Sequence, residues 1–322
     1  MINVAVIGTG MMGRNHARVY TELEGVHLVG VVDVSKKMRE ETAKSFSCKA
    51  YETLSELLKH ERVDAVSVCV PTSFHFDVAM EVIAAGIPLL IEKPITATIE
   101  QAKKVVAAAN ERGVLLMVGH IERFNPGVQK LKALIVSGKL GKITSLISRR
   151  VGIFPPRIKD SNVVIDLAVH DIDIFNFLLN SRPICVHGYG GKALQENKED
   201  YAGMLLKYAN ATGLIEVNWI TPVKVRILNV TGTKGYAELN YITQQLVVYK
   251  SIYEKAYDEF GDFVVKFGTP KREEVVVRTA EPLKLELAHF IECVRTKKQP
   301  LVGGEAGIAA LEVALQATTG EG

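Results

Sequence analysis

What this sequence has little of narrows its class before any motif is read. Its four cysteines, Cys48, Cys69, Cys185 and Cys293, are scattered and form no Cys-x-x-Cys pair. That spacing argues against a zinc ribbon or a disulfide framework and fits reduced, buried small hydrophobes. The histidines show no metal-ligand spacing, so no metal is expected. No apolar run reaches the ~18 residues that a membrane helix needs, and the N-terminus lacks the charged and apolar regions of a signal peptide. The expectation is a cytoplasmic protein with no membrane partner. A bias of charge is missing too: 39 Lys and Arg against 36 Asp and Glu leave +3, spread along the chain. With no basic stripe and no aromatic-basic module, no nucleic-acid partner is expected, although mild basicity suits a small anionic substrate. Low-complexity segments and internal repeats are also absent.

What remains is ordinary in proportion, 48% hydrophobic and 23% charged, as in a soluble globular protein. At 322 residues the chain is too long for most single cores, and two domains are the natural expectation.

One stretch organises the first of them. The apolar, mostly β-branched run Val4 to Ile7 enters Gly8-Thr9-Gly10-Met11-Met12-Gly13 and leaves into a helix through Arg14, Asn15 and His16. Gly8 allows a tight turn, Gly10 lets backbone approach a pyrophosphate, and Gly13 lets helix and strand pack closely. The helix N-terminus then favours an anion. A glycine-rich turn without a ligand would look similar, so the context matters. A second apolar run, Leu28 to Val32, ends in Asp33, 20 residues after Gly13, where a ribose-binding acid belongs. Gly8, Gly10, Met11, Met12, Gly13 and Asp33 are therefore the candidate cofactor set. An acid at that place repels a 2′-phosphate, so NAD is expected over NADP, a preference that Lys36 and Lys37 blur.

Further along, helical composition over Lys36 to Phe46 and Leu54 to Lys59 precedes a buried strand, Val63 to Val70. It ends in the loop Pro71-Thr72-Ser73-Phe74-His75, at the carboxyl edge where open α/β sheets bind ligands. After a helix from Phe76 to Ala85, Pro88 to Ile91 starts a strand that ends in Glu92-Lys93-Pro94. A lysine at a strand end is usually a solvated surface charge, but at this edge a cation could reach the reacting oxygen of a substrate. Pro94 restrains the chain just after it. A helix from Ile99 to Arg112 and a strand from Val114 to Gly119 close this half, a doubly wound parallel sheet over residues 1–121.

The pattern changes in residues 122–322. After a helix to about Ser137, strand-like runs dominate: Ile143 to Gly152, Ile184 to Tyr189, Tyr201 to Tyr208, Thr212 to Trp219, Val225 to Thr231, Tyr236 to Asn240 and Leu246 to Tyr249. Asn210 to Gly213 and Thr231 to Gly235 read as hairpin turns. These predict an α+β domain with a large, mostly antiparallel open sheet, whose outer face needs a partner such as a second copy. One helix interrupts the strands, from Asn162 onwards, with Asp166 and His170 at i and i+4 on one face. A satisfied core histidine beside a capping acid would give the same spacing. Beside a cofactor site and Lys93, the pair reads as the acid/base set of a dehydrogenase. Helices over Pro282 to Arg295 and Ala306 to Gln316 read as packing elements, the last of which could return to the first domain.

Gly8-x-Gly10-x-x-Gly13, Pro71-Thr72-x-x-His75, Glu92-Lys93-Pro94, Asp166-x-x-x-His170 and Gly304-Glu305-Ala306-Gly307 together resemble the Gfo/Idh/MocA oxidoreductase family over nearly the whole chain. The resemblance implies an N-terminal Rossmann domain and a C-terminal open-faced sheet used for a homodimer or homotetramer. It implies that Pro71, Thr72, His75, Glu92 and Lys93 line the cofactor. Lys93 would hydrogen-bond the reacting hydroxyl, His170 would take its proton, and Asp166 would orient substrate or imidazole. Asn162-Val163-Val164 and Ala168 stand where many members carry glycine. Within the family, Gly119 to Pro126 and Val164 to Asp173 are most similar to members that oxidise carbon 3 of UDP-N-acetylglucosamine, with Arg123, Asn125, Asp166 and His170 as substrate residues. Arg123, Arg149, Arg150, Arg157 and Lys159 would suit a diphosphate, or are ordinary surface charge. An inositol or free-sugar dehydrogenase and a non-catalytic NAD-responsive regulator are the alternatives.

Overall fold

Short β-branched runs alternating with amphipathic helices bury both faces of a parallel sheet, and the first 120 residues follow that rule. The computed structural model describes residues 1–153, 161–194, 196–250, 253–257 and 263–319. In order come β1 (Ile2–Ile7), α1 (Met11–Glu22), β2 (Val26–Val32), α2 (Lys36–Phe46), β3 (Lys49–Tyr51), α3 (Leu54–His60), β4 (Ala65–Val68), α4 (His75–Ala84), β5 (Leu89–Glu92), α5 (Ile99–Glu111) and β6 (Leu116–Gly119). The six strands are parallel in the order β3-β2-β1-β4-β5-β6, the doubly wound arrangement whose order reverses at β1 and β4. Side chains of Ser35, Thr53 and Thr98 accept the first orphan N–H groups of α2, α3 and α5, which fixes where those helices start.

The chain continues through α6 (Pro126–Val136), β7 (Ile143–Val151), α7 (Val169–Leu179), β8 (Cys185–Gly191), β9 (Tyr201–Lys207), β10 (Thr212–Asn218), β11 (Val225–Gly232), β12 (Gly235–Asn240), β13 (Leu246–Lys250), β14 (Tyr253–Tyr257), β15 (Phe263–Phe267) and β16 (Lys271–Val275). An eight-stranded sheet runs β16-β13-β12-β11-β7-β10-β9-β8 and is antiparallel except at β7 and β10; β14 and β15 pair separately. Along β9 exposed and buried residues alternate strictly, so one face of this sheet is core and the other is open. On the core face α6 packs on β12, and α7 presses on β10 closely enough that a Cβ at Gly213 would sit 2.7 Å from the Phe175 ring. The last helices are α8 (Pro282–Thr296) and α9 (Gly304–Thr319).

Two compact units result. The first holds Met1–Phe124 with Ala280–Glu312; the second holds described residues of 125–279 and 313–319. The return of 280–312 to the first unit is seated by Gly304 and Gly307, where a Cβ would meet Val106 at 2.4 Å and Val118 at 2.9 Å.

Four strands escaped the sequence reading, two of them for a plain physical reason. β16 reads Lys-Arg-Glu-Glu-Val, a charged edge strand of the kind that blocks further pairing, and charge hides its alternation. β3 is three residues long at the other sheet's edge. β14 and β15 lie in a stretch where no strand was expected. The helix expected from Asn162 instead opens with one π-helical turn, Val164–Ala168, in which the Val169 N–H reaches back to the Val164 carbonyl.

Candidate active site

In the first unit, three loops leave adjacent strands at one sheet edge: the glycine turn after β1, the Pro71 loop after β4 and the Lys93 loop after β5. The glycine roles separate cleanly. Gly8 has φ +90°, and a Cβ there would lie 2.6 Å from the Cys69 carbonyl carbon. At Gly13 a Cβ would lie 1.8 Å from the Gly8 oxygen. Those two glycines let the turn close on its neighbours, whereas a Cβ at Gly10 would meet nothing within 4 Å. Gly10 precedes α1, which has no side-chain cap among the described residues, so Met11 and Met12 begin a helix whose N-terminus faces that space uncapped.

Asp33 is tied to the same turn. Its Oδ2 accepts from the Thr9 N–H at 2.7 Å and the Thr9 hydroxyl at 2.8 Å, and Oδ1 accepts from the Ser35 N–H at 2.8 Å. The carboxylate is thereby aimed beside the turn before any ligand arrives. Arg39, the nearby guanidinium, donates to the carbonyls of Asp33 and Val34 and pairs with Glu52 at 2.8 Å. Its hydrogen-bonding edge is turned to protein.

Lys93 follows β5 and is half-buried. Two residues expected to line a cofactor are placed otherwise. Glu92 is buried and its Oε1 accepts from Nε2 of the fully buried His16 at 3.0 Å, while Oε2 accepts the Lys93 N–H at 3.2 Å. Burial opposes ionisation of Glu92, but the His16 hydrogen bond and the positive charge around it hold its carboxyl below the usual range. His75 is 1% exposed, with Nδ1 2.8 Å from the Pro94 carbonyl and Nε2 2.9 Å from the Val70 carbonyl. Burial pushes its imidazole down, against the pull of those two carbonyls. It braces two loops and presents no free edge to a ligand. Pro71 and Thr72 stay at the surface, where Thr72 starts a short 3-10 turn.

In the second unit, Asp166 lies in the π-helical turn and His170 in the first turn of α7. Both are partly exposed on a segment that otherwise buries Val163, Val164, Leu167, Ala168 and Val169. Such wide turns recur at functional sites, because they offset side chains from α-helical register. Asn162 builds this one: its Oδ1 accepts the Ile165 N–H at 3.0 Å, its carbonyl accepts the Asp166 N–H at 3.0 Å, and its amide donates to Glu199 at 3.0 Å.

The basic set divides. Neighbouring residues of a strand face opposite ways, so Arg149 pairs with Glu216 at 2.9 Å on the open face while Arg150 is buried on Asp171. The Arg150 Nε and Nη2 reach the two Asp171 oxygens at 2.7 and 3.2 Å, with the guanidinium 4.8 Å from the Tyr241 ring centre. They cannot share one diphosphate. Arg123 is buried in the first unit and its guanidinium lies 3.4 Å from the Leu301 carbonyl. Asn125, expected to touch substrate, instead caps α6 through the Gly127 N–H and donates to the Tyr241 carbonyl at 3.0 Å. Arg157 and Lys159 lie outside the described residues. Sequence reasoning missed His16, whose only signal was its place three residues after Gly13. No helix among the described residues is long and apolar enough to cross a membrane.

Comparison with known proteins extends this geometry to the whole chain. Over 317 residues it is 30% identical to the UDP-N-acetylglucosamine 3-dehydrogenase of Acidithiobacillus ferrooxidans, covering 98% of this chain and 96% of the relative. It is 31% identical over 330 residues to the scyllo-inositol 2-dehydrogenase (NAD(+)) of Bacillus subtilis, covering 98% and 93%. A solved structure of the Acidithiobacillus ferrooxidans enzyme superposes with a TM-score of 0.87 at 28% identity, covering 99% of this chain and 97% of that one. Residues 2–120 match the NAD-binding Rossmann fold of one oxidoreductase family, and residues 132–319 match that family's C-terminal alpha/beta domain. The open space at Gly10, the uncapped start of α1 and the fixed Asp33 carboxylate fit NAD. With both of the family's domains in order along the chain, the protein belongs to the Gfo/Idh/MocA oxidoreductases and is a dehydrogenase with an NAD-binding Rossmann domain.

Proposed function

We propose that the protein oxidises a secondary alcohol of a sugar with NAD, and that carbon 3 of UDP-N-acetylglucosamine is the first substrate to test. The observation that carries the reading is Lys93, a cation at the sheet edge that holds the glycine turn. Residues 1–121 serve as the cofactor domain and residues 122–322 as the substrate domain, except that 280–312 pack back on the first. NAD, when bound, supplies the hydride acceptor. Gly8, Gly10, Met11, Met12 and Gly13 hold its pyrophosphate and Asp33 its ribose. Lys93 donates to the reacting hydroxyl and steadies the alkoxide as it forms, His170 takes the hydroxyl proton, and Asp166 orients the imidazole or the sugar.

The full-length likeness to a UDP-N-acetylglucosamine 3-dehydrogenase supports the nucleotide sugar. The burial of Arg150 on Asp171, with Arg149 on the opposite face beside Glu216, favours a second reading, an inositol or free-sugar dehydrogenase, because the two cations cannot serve one diphosphate. NADH formation by the purified protein with UDP-N-acetylglucosamine, set beside myo-inositol, scyllo-inositol and glucose, separates the two. Turnover with the nucleotide sugar alone supports the first; turnover with free polyols alone overturns it in favour of the second. No NADH from any of them overturns both.

We further propose a homodimer or homotetramer through the open face of the large sheet. Rows of paired residues cross it, Tyr189-Gly203-Glu216-Arg149-Ile227 and His187-Leu205-Leu214-Ile147-Asn229. Ile147, Leu205 and Leu214 are each more than 40% exposed and Tyr189 is 83% exposed, an apolar face that a second copy would cover. Light scattering that finds only monomer at micromolar concentration would exclude this.

A further inference from the structure

Lys93 sits on a loop held from both sides by buried imidazoles. Before it, the Glu92 carboxylate bridges the His16 Nε2 and the Lys93 N–H, at 3.0 and 3.2 Å. After it, the Pro94 carbonyl lies 2.8 Å from His75 Nδ1. His16 belongs to α1, the helix that begins at the cofactor turn, and one helical turn later Tyr20 meets Ser67 of β4 at 2.6 Å. The buried face of α1 thus reaches both strands whose loops flank the cofactor edge. Room for the carboxylate is left by Gly119 of β6, where a Cβ would lie 3.1 Å from it.

A buried carboxylate and imidazole are an expensive way to fill a core. Two apolar side chains of similar volume do so at no desolvation cost, so such pairs contribute position more than stability. Glu92 can only accept while ionised, and it spends one oxygen on His16 and the other on the backbone of Lys93.

We propose that His16 and Glu92 are positioning residues for Lys93: the pair ties the pyrophosphate-binding helix to the lysine loop, so that the ammonium is aligned with the nicotinamide end of the bound cofactor. This rests on the reading of Lys93 as the group that donates to the reacting hydroxyl. A misplacement of about 1 Å can cost on the order of 100-fold in rate while the remaining binding contacts persist.

The test is a double-mutant cycle on the full-length protein, with whichever of UDP-N-acetylglucosamine, myo-inositol and scyllo-inositol the wild type oxidises. His16→Leu removes the donor, and His16→Gln keeps an N–H near the position of Nε2. Each is made alone and with Lys93→Ala, and NAD affinity is measured by calorimetry beside kcat and KM. The expected result is a kcat about tenfold or more lower in His16→Leu, with NAD affinity and KM unchanged, substantial recovery in His16→Gln, and no further loss when Lys93 is already alanine. Unchanged kcat, NAD affinity falling in step with kcat, or equal losses in both Lys93 backgrounds overturns the proposal. Should His16→Leu not fold, Glu92→Gln, isosteric and uncharged, is held to the same three outcomes. Full turnover in Lys93→Ala would instead overturn the role of Lys93, and is distinguishable because it needs no change at His16.

Discussion

The glycine turn makes a prediction in which stability and binding part company. At Gly10 the backbone has φ −63° and ψ −168°, a conformation alanine adopts without strain, and a Cβ there meets nothing within 4 Å. Gly10→Ala should therefore leave the apo protein within about 0.5 kcal/mol of wild type, or slightly stabilise it through the unfolded chain. Its methyl group nevertheless occupies the space next to the α1 N-terminus where the pyrophosphate has to lie. Loss of one charge-assisted N–H to phosphate bond costs about 1.5–3 kcal/mol, which weakens NAD by roughly 10- to 150-fold. Gly13→Ala is the opposite case: its Cβ would lie 1.8 Å from the Gly8 oxygen, so the turn itself must shift. Forced overpacking of that kind costs about 1–3 kcal/mol even without ligand. Thermal melts with and without NAD read both effects. At NAD 100 times its wild-type Kd, the ligand stabilises wild type by about 2.7 kcal/mol, and Gly10→Ala by about 1.4 kcal/mol or less. A Gly10→Ala protein that binds NAD as tightly as wild type would show that the pyrophosphate does not lie there, and the cradle argument would fall.

Other consequences are simpler to state. Lys93→Ala and His170→Ala should each cut turnover by about 10²–10⁴ with NAD affinity nearly intact, measured by NADH formation and calorimetry. Asp33→Ser should weaken NAD and narrow its lead over NADP, read as a ratio of Kd values, because the carboxylate is the group that repels a 2′-phosphate; an unchanged ratio would remove Asp33 from the ribose site. Asp171→Leu should lower unfolding free energy in urea by about 3–5 kcal/mol by stranding Arg150, with part recovered in Arg150→Met with Asp171→Leu. Cys48, whose thiol burial pushes up to about 11, and Cys69, raised well above the usual range by burial, should be the slow-reacting thiols in a labelling time course near pH 8.

How far the sequence could be read depended on whether a residue's task is local. Gly8, Gly13 and Asp33 act within a few residues of a strand end, so spacing alone placed them. The parallel sheet was legible because strands buried on both faces are continuous apolar runs, and the large sheet because its runs alternate. Residues whose task is set by a distant partner were not legible. Glu92 and His75 share the loops of the cofactor edge, but their side chains turn inward to His16, Pro94 and Val70, partners up to 76 positions away. Asn125 is polar beside a candidate substrate segment, yet proline at the next position makes it a helix cap.

Arg149 and Arg150 show the limit most sharply. Counted as charge they are two adjacent cations and suit a diphosphate. Placed on a strand they have to point to opposite faces, because Cβ direction alternates with every residue. The register then decides the partner of each: Arg149 stands opposite Glu216 on the open face, and Arg150 on the core face meets Asp171 of α7. A strand assignment was available from the sequence, and with it the conclusion that at most one of the pair could face a substrate. What the sequence could not supply was which one, since that depends on which face of the sheet α7 covers. Asp171 directly follows His170, so the buried pair also fixes the start of the helix that carries the proposed base. If His170 is the base proposed above, the cation serves it by holding α7, and Arg150→Lys, which keeps the charge but loses the paired geometry, should lower kcat more than it raises KM. A larger effect on KM than on kcat would return Arg150 to the substrate.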